Sequence, residues 1–125
     1  MNMNPDHPSG QPPPVDMRRL AEITDGDITF EREMLDLFLS EFTKRIDRIA
    51  GSISEGNSEI IRREAHTLAG SSANMGADYL GDLARDIEHA AREGALERCA
   101  PLFEPLRVEA ERVRAFLESR LNEIS

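Results

Sequence analysis

The stretch "EAHTLAGSSANMG", Glu64 to Gly76, decides how this chain is read. Its apolar residues have helical spacing, yet Gly70, Ser71 and Ser72 follow a histidine within one to two turns. Glycine in a helix interior costs about 1 kcal/mol relative to alanine. On a wheel of 100° per residue, Ile61, Ala65, Leu68, Ser72 and Met75 fall within about 80° of one another and form the buried stripe. His66 lies roughly 120–140° from the centre of that stripe, on the solvent side. Its neighbours by the three-, four- and seven-residue rule are Arg62, Arg63, Ala69, Gly70 and Ala73. Small residues on one side of an exposed imidazole clear room for a bulky partner. Two arginines on the other side suit a group that gains negative charge, because Arg pairs well with phosphate. Imidazole is partly neutral and nucleophilic near pH 7. A helix that breaks a propensity rule beside such a group marks a candidate functional site.

The rest of the chain is helical in pattern around this segment. "VDMRRLAEI" predicts a short first helix, and "TDGD" a turn with Asp27 as cap of a long second helix. In that helix Phe30, Met34, Phe38, Phe42, Ile46, Ile49 and Ile53 keep three- and four-residue spacing. "GSISEGNS" supplies turn residues, and Asn57 or Ser58 caps the third helix, which runs to about Met75 with Gly76 as its stop. A fourth helix carries Leu80, Leu83, Ala84 and Ile87 and stops near Gly94. The last carries Leu102, Leu106, Ala110, Val113, Leu117 and Leu121. Pro101 and Pro105 each lack an N–H and crowd the preceding turn, so a break or kink is predicted near Pro101. No segment alternates with period two. The fold class is all-α: an antiparallel four-helix bundle with a short extra N-terminal helix.

Composition narrows the function. A net charge of −9 over 125 residues argues against nucleic acid or an anionic membrane as the main partner. There is no run of about 18 apolar residues to span a bilayer, and no signal-peptide order at the N-terminus. The single cysteine, Cys99, cannot form an internal disulfide and suits a reducing compartment; it reads as a small buried apolar residue. A cytoplasmic monomer is the expectation. Residues 1–14 hold five of the seven prolines and read as a disordered tail that includes His7, leaving 15–125 as one domain. His89 falls on the solvent side of the fourth helix. His66, His89 and Cys99 lack close ligand spacing, so no metal site and no cofactor are expected. Ser71 and Ser72 are expected to hydrogen-bond locally, since no second histidine is near enough for a triad.

"AHTLAGSSANMGADYLGDLARDIE", residues 65–88, resembles the signature of histidine-containing phosphotransfer (HPt) domains. His66, Leu68, Gly70, Ser71, Ser72, Gly76, Ala77, Leu80, Leu83 and Glu88 carry the likeness, and "DGDITFEREMLDLFLSEF", residues 25–42, looks like the family's first long helix. The likeness covers roughly residues 15–122. It implies that a phosphoryl group arrives from a receiver-domain aspartate, rests on Nε2 of His66, and passes to the aspartate of another response regulator. Hybrid sensor histidine kinases are implied as further partners. The receiver would supply Mg²⁺, and this chain, which has no P-loop lysine, would have no ATP site and no substrate turnover of its own. The family usually has lysine three residues after the histidine; here it is Ala69. That departure leaves an alternative, an interaction module of the same fold that binds a receiver or kinase without being phosphorylated. A chain that starts with Met and is filled by the bundle suits a free-standing protein rather than an excised piece of a hybrid kinase.

Overall fold

The computed structural model describes residues 12–125. It contains five helices: α1 (Met17–Thr24), α2 (Ile28–Glu55), α3 (Ser58–Asn74), α4 (Asp78–Arg92) and α5 (Leu96–Ile124). Side-chain caps start α2 and α3 as the sequence implies, and α1 as well. The carboxylate of Asp27 accepts from the Phe30 N–H, and the Asn57 side chain accepts from the Ile60 N–H. The side chain of Asp16 accepts from Arg18 at the start of α1. Of the expected tail, residues 1–11 lie outside the described residues. Pro12 lies beside α5, where its carbonyl accepts from Arg112 at 3.1 Å.

α2 packs on α3 and α5, and α4 packs on the same two, so the four long helices close into a ring. Consecutive helices joined by turns of two or three residues must run antiparallel. The core inside the ring is built from Leu35, Ile49, Ile61, Leu68, Leu80, Ile87, Leu106 and Leu117, all fully buried. Burying each such side chain is worth about 1.5–3 kcal/mol, so the apolar stripes and not helix propensity hold the bundle. Phe38 and Phe42 stack with ring centroids 5.0 Å apart. Cys99 is buried, and burial pushes its thiol up. Among the described residues no helix is long and apolar enough to cross a membrane.

Two sequence expectations fail here. The helix does not break near Pro101: α5 runs unbroken through Pro101 and Pro105. The two prolines are four residues apart and both exposed. The carbonyls they leave without a helical N–H therefore lie on the solvent side, where water can reach them. Phe30 does not join the core but is 43% exposed. The buried position next to it is Glu31, whose two carboxylate oxygens accept from Nε and Nη2 of Arg120 at 2.6 and 2.9 Å. A charged residue can occupy an apolar stripe when a bidentate guanidinium meets it there. Spacing alone does not separate Phe30–Met34–Phe38 from Glu31–Leu35–Phe38.

The turn between α3 and α4 is tied to α1. The Asp16 N–H donates to the Gly76 carbonyl at 2.8 Å. Gly76 has φ +84°, and a Cβ there would stand 2.8 Å from the Asp16 carbonyl oxygen. Only glycine meets both demands. Arg19 completes the tie by donating to the Ala73 carbonyl at 2.6 Å and to Asp78 at 2.9 Å.

Candidate functional site

His66 lies midway along α3 with its side chain 70% exposed. Its ring is nevertheless held. Nδ1 lies 2.8 Å from Oε2 of Glu88, on α4. An ionised carboxylate only accepts, so Nδ1 carries the proton and donates. In the neutral ring this tautomer leaves the lone pair on Nε2. Glu88 is itself only 7% exposed, and the same oxygen accepts from Nη2 of Arg92, one turn further along α4, at 2.6 Å. The arrangement resembles the orienting pairs of catalytic histidines: a buried acid fixes the tautomer and ring, and the second nitrogen faces the reactant.

Local packing produces this meeting. A Cβ on Gly81 would stand 3.2 Å from the Ala69 carbonyl oxygen and 3.7 Å from Cβ of Ser72. Small residues on both helices thus let α3 and α4 approach closely. Two turns beyond Gly81, this brings Glu88 opposite His66.

That seam corrects the sequence reading of the small residues. Ala69, expected on the exposed clearing, is 3% exposed and faces α4. The buried face of α3 is wider than the 80° stripe because α3 packs against both α2 and α4. Ala73 is half-buried, and its carbonyl is engaged by Arg19. Gly70 stays on the exposed side, and a Cβ there would meet nothing within 4 Å. No packing inside the molecule requires glycine at that position. Ser71 makes the local bond expected of it, donating to the Leu68 carbonyl at 3.3 Å. Ser72 does not: its hydroxyl is buried without a partner among the described residues, at the seam with Gly81.

The expected cations divide. Arg62 is half-buried and paired with Glu59 at 2.7 Å, which holds the Glu59 carboxyl below its usual range. Arg63 is exposed, on the side of α3 that faces α2. The guanidinium actually joined to the histidine's acid is Arg92. Sequence reasoning included Glu88 in the motif but gave it no role, and passed over Arg92. The Glu88–Arg92 spacing of four on one helix was the available signal. His89 is exposed and separate from this cluster, beside Asp86 and Pro101. Among the described residues no group of three His, Cys, Asp or Glu side chains is placed to hold a metal ion.

The Hpt domain family model matches residues 33–118, which include every residue of this cluster. The chain belongs to the Hpt family. The fold of this Hpt domain is also similar to the crystal structure of histidine-containing phosphotransfer protein B (HptB) from Pseudomonas aeruginosa PAO1. The two share 28% sequence identity with a TM-score of 0.84, over 89% of this chain and 96% of that one. No curated protein sequence matches the chain. As a member of the family, this Hpt domain is a phosphotransfer module of phosphorelays, with receiver domains and kinases as its class of partner.

Proposed function

We propose that this Hpt domain takes a phosphoryl group onto Nε2 of His66 from the aspartyl phosphate of one receiver domain and delivers it to an aspartate of another. The observation that carries the reading is the 2.8 Å contact of Nδ1 with the buried Glu88, on a ring that is otherwise open to solvent. In the step, the Nε2 lone pair forms the N–P bond as the O–P bond of the donor breaks and its carboxylate leaves. No proton has to move. Nδ1 keeps its hydrogen, the ring becomes cationic, and Glu88 stabilises that charge where it develops. Delivery reverses the order. The partner receiver supplies Mg²⁺ and its own acidic pocket, so this domain needs no ATP site and turns over no substrate of its own. We read it as a cytoplasmic monomer that also meets a hybrid sensor kinase.

Ala69 favours a second reading, in which the domain binds a receiver or kinase and regulates it without being phosphorylated, because the usual lysine is missing. One experiment separates the two. The protein is incubated with phosphorylated receiver domains and assayed for acid-labile, base-stable phosphate. Label on the native protein and none on His66→Gln supports transfer. Stable binding with no label supports the regulatory module.

A further inference from the structure

The transfer site leaves a second feature of α3 unused. Arg63 projects from the exposed side of that helix, roughly 60° around the wheel from His66 and about one turn before it. Together with Arg48 of α2 it frames a notch between the two helices, floored by Ile60 and edged by Gly51, Glu55 and Glu64. Three observations set the notch apart. Arg63 makes no ion pair among the described residues. Arg48 is 57% exposed and reaches Glu64 only at 3.7 Å, because that carboxylate is engaged by Arg45 at 2.9 Å. Glu64 is shared between Arg45 and Arg48 and Glu59 is paired with Arg62, which leaves Glu55 as the acid lining the notch without an ion pair among the described residues, in a chain whose net charge is −9. Finally, Gly51 sits in the interior of α2, where glycine costs about 1 kcal/mol relative to alanine. A Cβ there would meet nothing within 4 Å among the described residues, so no contact with them requires its absence. A bare backbone between two under-used guanidinium groups is shaped to admit a side chain from outside.

We propose that this notch receives an acidic side chain of the receiver domain that docks over His66, and that it sets the orientation and choice of that partner. The inference rests on the proposed function only for the identity of the partner. The notch and the histidine lie on contiguous exposed faces of α3, so a protein large enough to cover one reaches the other. Fixing a carboxylate at a second point about 9 Å along α3 from His66, the rise of six residues from Ile60, would hold the incoming aspartate in register. Charge complementarity of this kind acts on encounter rate and partner discrimination more than on the chemical step.

The test uses the full chain and the receiver domain that binds it most tightly within a panel, with unphosphorylated receiver titrated calorimetrically at two salt concentrations. Arg48→Glu/Arg63→Glu is expected to weaken binding about tenfold and to flatten its salt dependence, while Arg107→Glu on the distant α5 changes neither. Gly51→Leu is expected to raise the melting temperature and weaken binding, a combination that a purely structural role does not give. The maximal transfer rate at saturating receiver should stay at the native value in Arg107→Glu. Unchanged affinity and salt slope in the double variant, or an equal loss in Arg107→Glu, overturns the notch. Binding is read with His66→Gln as well. Absence of phosphate on the native protein therefore defeats the proposed function without touching this result, and loss of the arginine effect does the reverse.

Discussion

Replacing Glu88 with alanine is expected to slow phosphorylation of His66 by about fivefold without unfolding the bundle. The carboxylate accepts from Nδ1 at 2.8 Å, and the ring that attacks phosphorus is the neutral, nucleophilic one. Because the acceptor is a carboxylate, the bond is already charge-assisted with a neutral ring, and turning the ring cationic adds only the attraction of a partly exposed ion pair. Only that attraction, about 1 kcal/mol, is gained as the ring becomes cationic, and only that part accelerates transfer. At about 1.4 kcal/mol per factor of ten this is about fivefold. The 70% exposure of the ring lets water take over some of the role, which keeps the effect from being larger. Glu88→Gln keeps an acceptor for Nδ1 but removes the charge, so it should lose most of the same factor while the ring stays oriented. The assay is single-turnover transfer from phosphorylated receiver at saturating concentration, with helix content and melting followed alongside. An alanine variant as fast as the native protein, with the fold intact, would show that the contact neither orients the ring nor stabilises its charge.

Four further outcomes follow from the same geometry. His66→Gln should accept no phosphate yet melt within a few degrees of the native protein, because the exposed ring buries little; calorimetry and the label assay check this. Arg92→Ala should shorten phosphohistidine lifetime several-fold and Arg62→Ala less, since Arg62 is held by Glu59; equal decay rates in the two variants would refute the ranking. Ala69→Lys should cost about 1–3 kcal/mol in chemical denaturation, because the site is 3% exposed against α4, and should not restore the Arg92 variant. Glu109 is buried on α5, and desolvation pushes its carboxyl above the ordinary range, with Arg112 offsetting part of the shift. A raised pKa in the folded state means that stability is full below the ordinary glutamate value and declines as pH rises through the folded value. Glu109→Gln should thus flatten the fall in melting temperature above the ordinary glutamate range.

Much of this was legible in the sequence because helical periodicity reports one helix at a time. The solvent placement of His66, the caps at Asp27 and Asn57, and the stop at Gly76 are all local properties of single elements. What escaped depends on two helices at once. Glu88 meets His66 only because Gly81 sets the register and closeness of α4 on α3. Ala69 looked exposed because a wheel with one partner in mind draws too narrow a buried face, and α3 has two. Glu31 entered the core in place of Phe30 because Arg120 waits on a helix 89 residues away. The prolines of α5 were read as breakers because sequence spacing does not say that both look outward.

The tie between α1 and the α3–α4 turn bears on where the folding unit ends. The family match begins at residue 33, inside α2 and beyond all of α1. Yet Val15 and Leu20 are fully buried, Asp16 is bonded to Gly76, and Arg19 occupies the Ala73 carbonyl in the last turn of the helix that carries His66. A fragment trimmed to residues 33–118 would leave that turn unfastened and remove both Glu31 and Arg120. The signature shared across the family is therefore smaller than the cooperative unit, which in this protein reaches back at least to Val15.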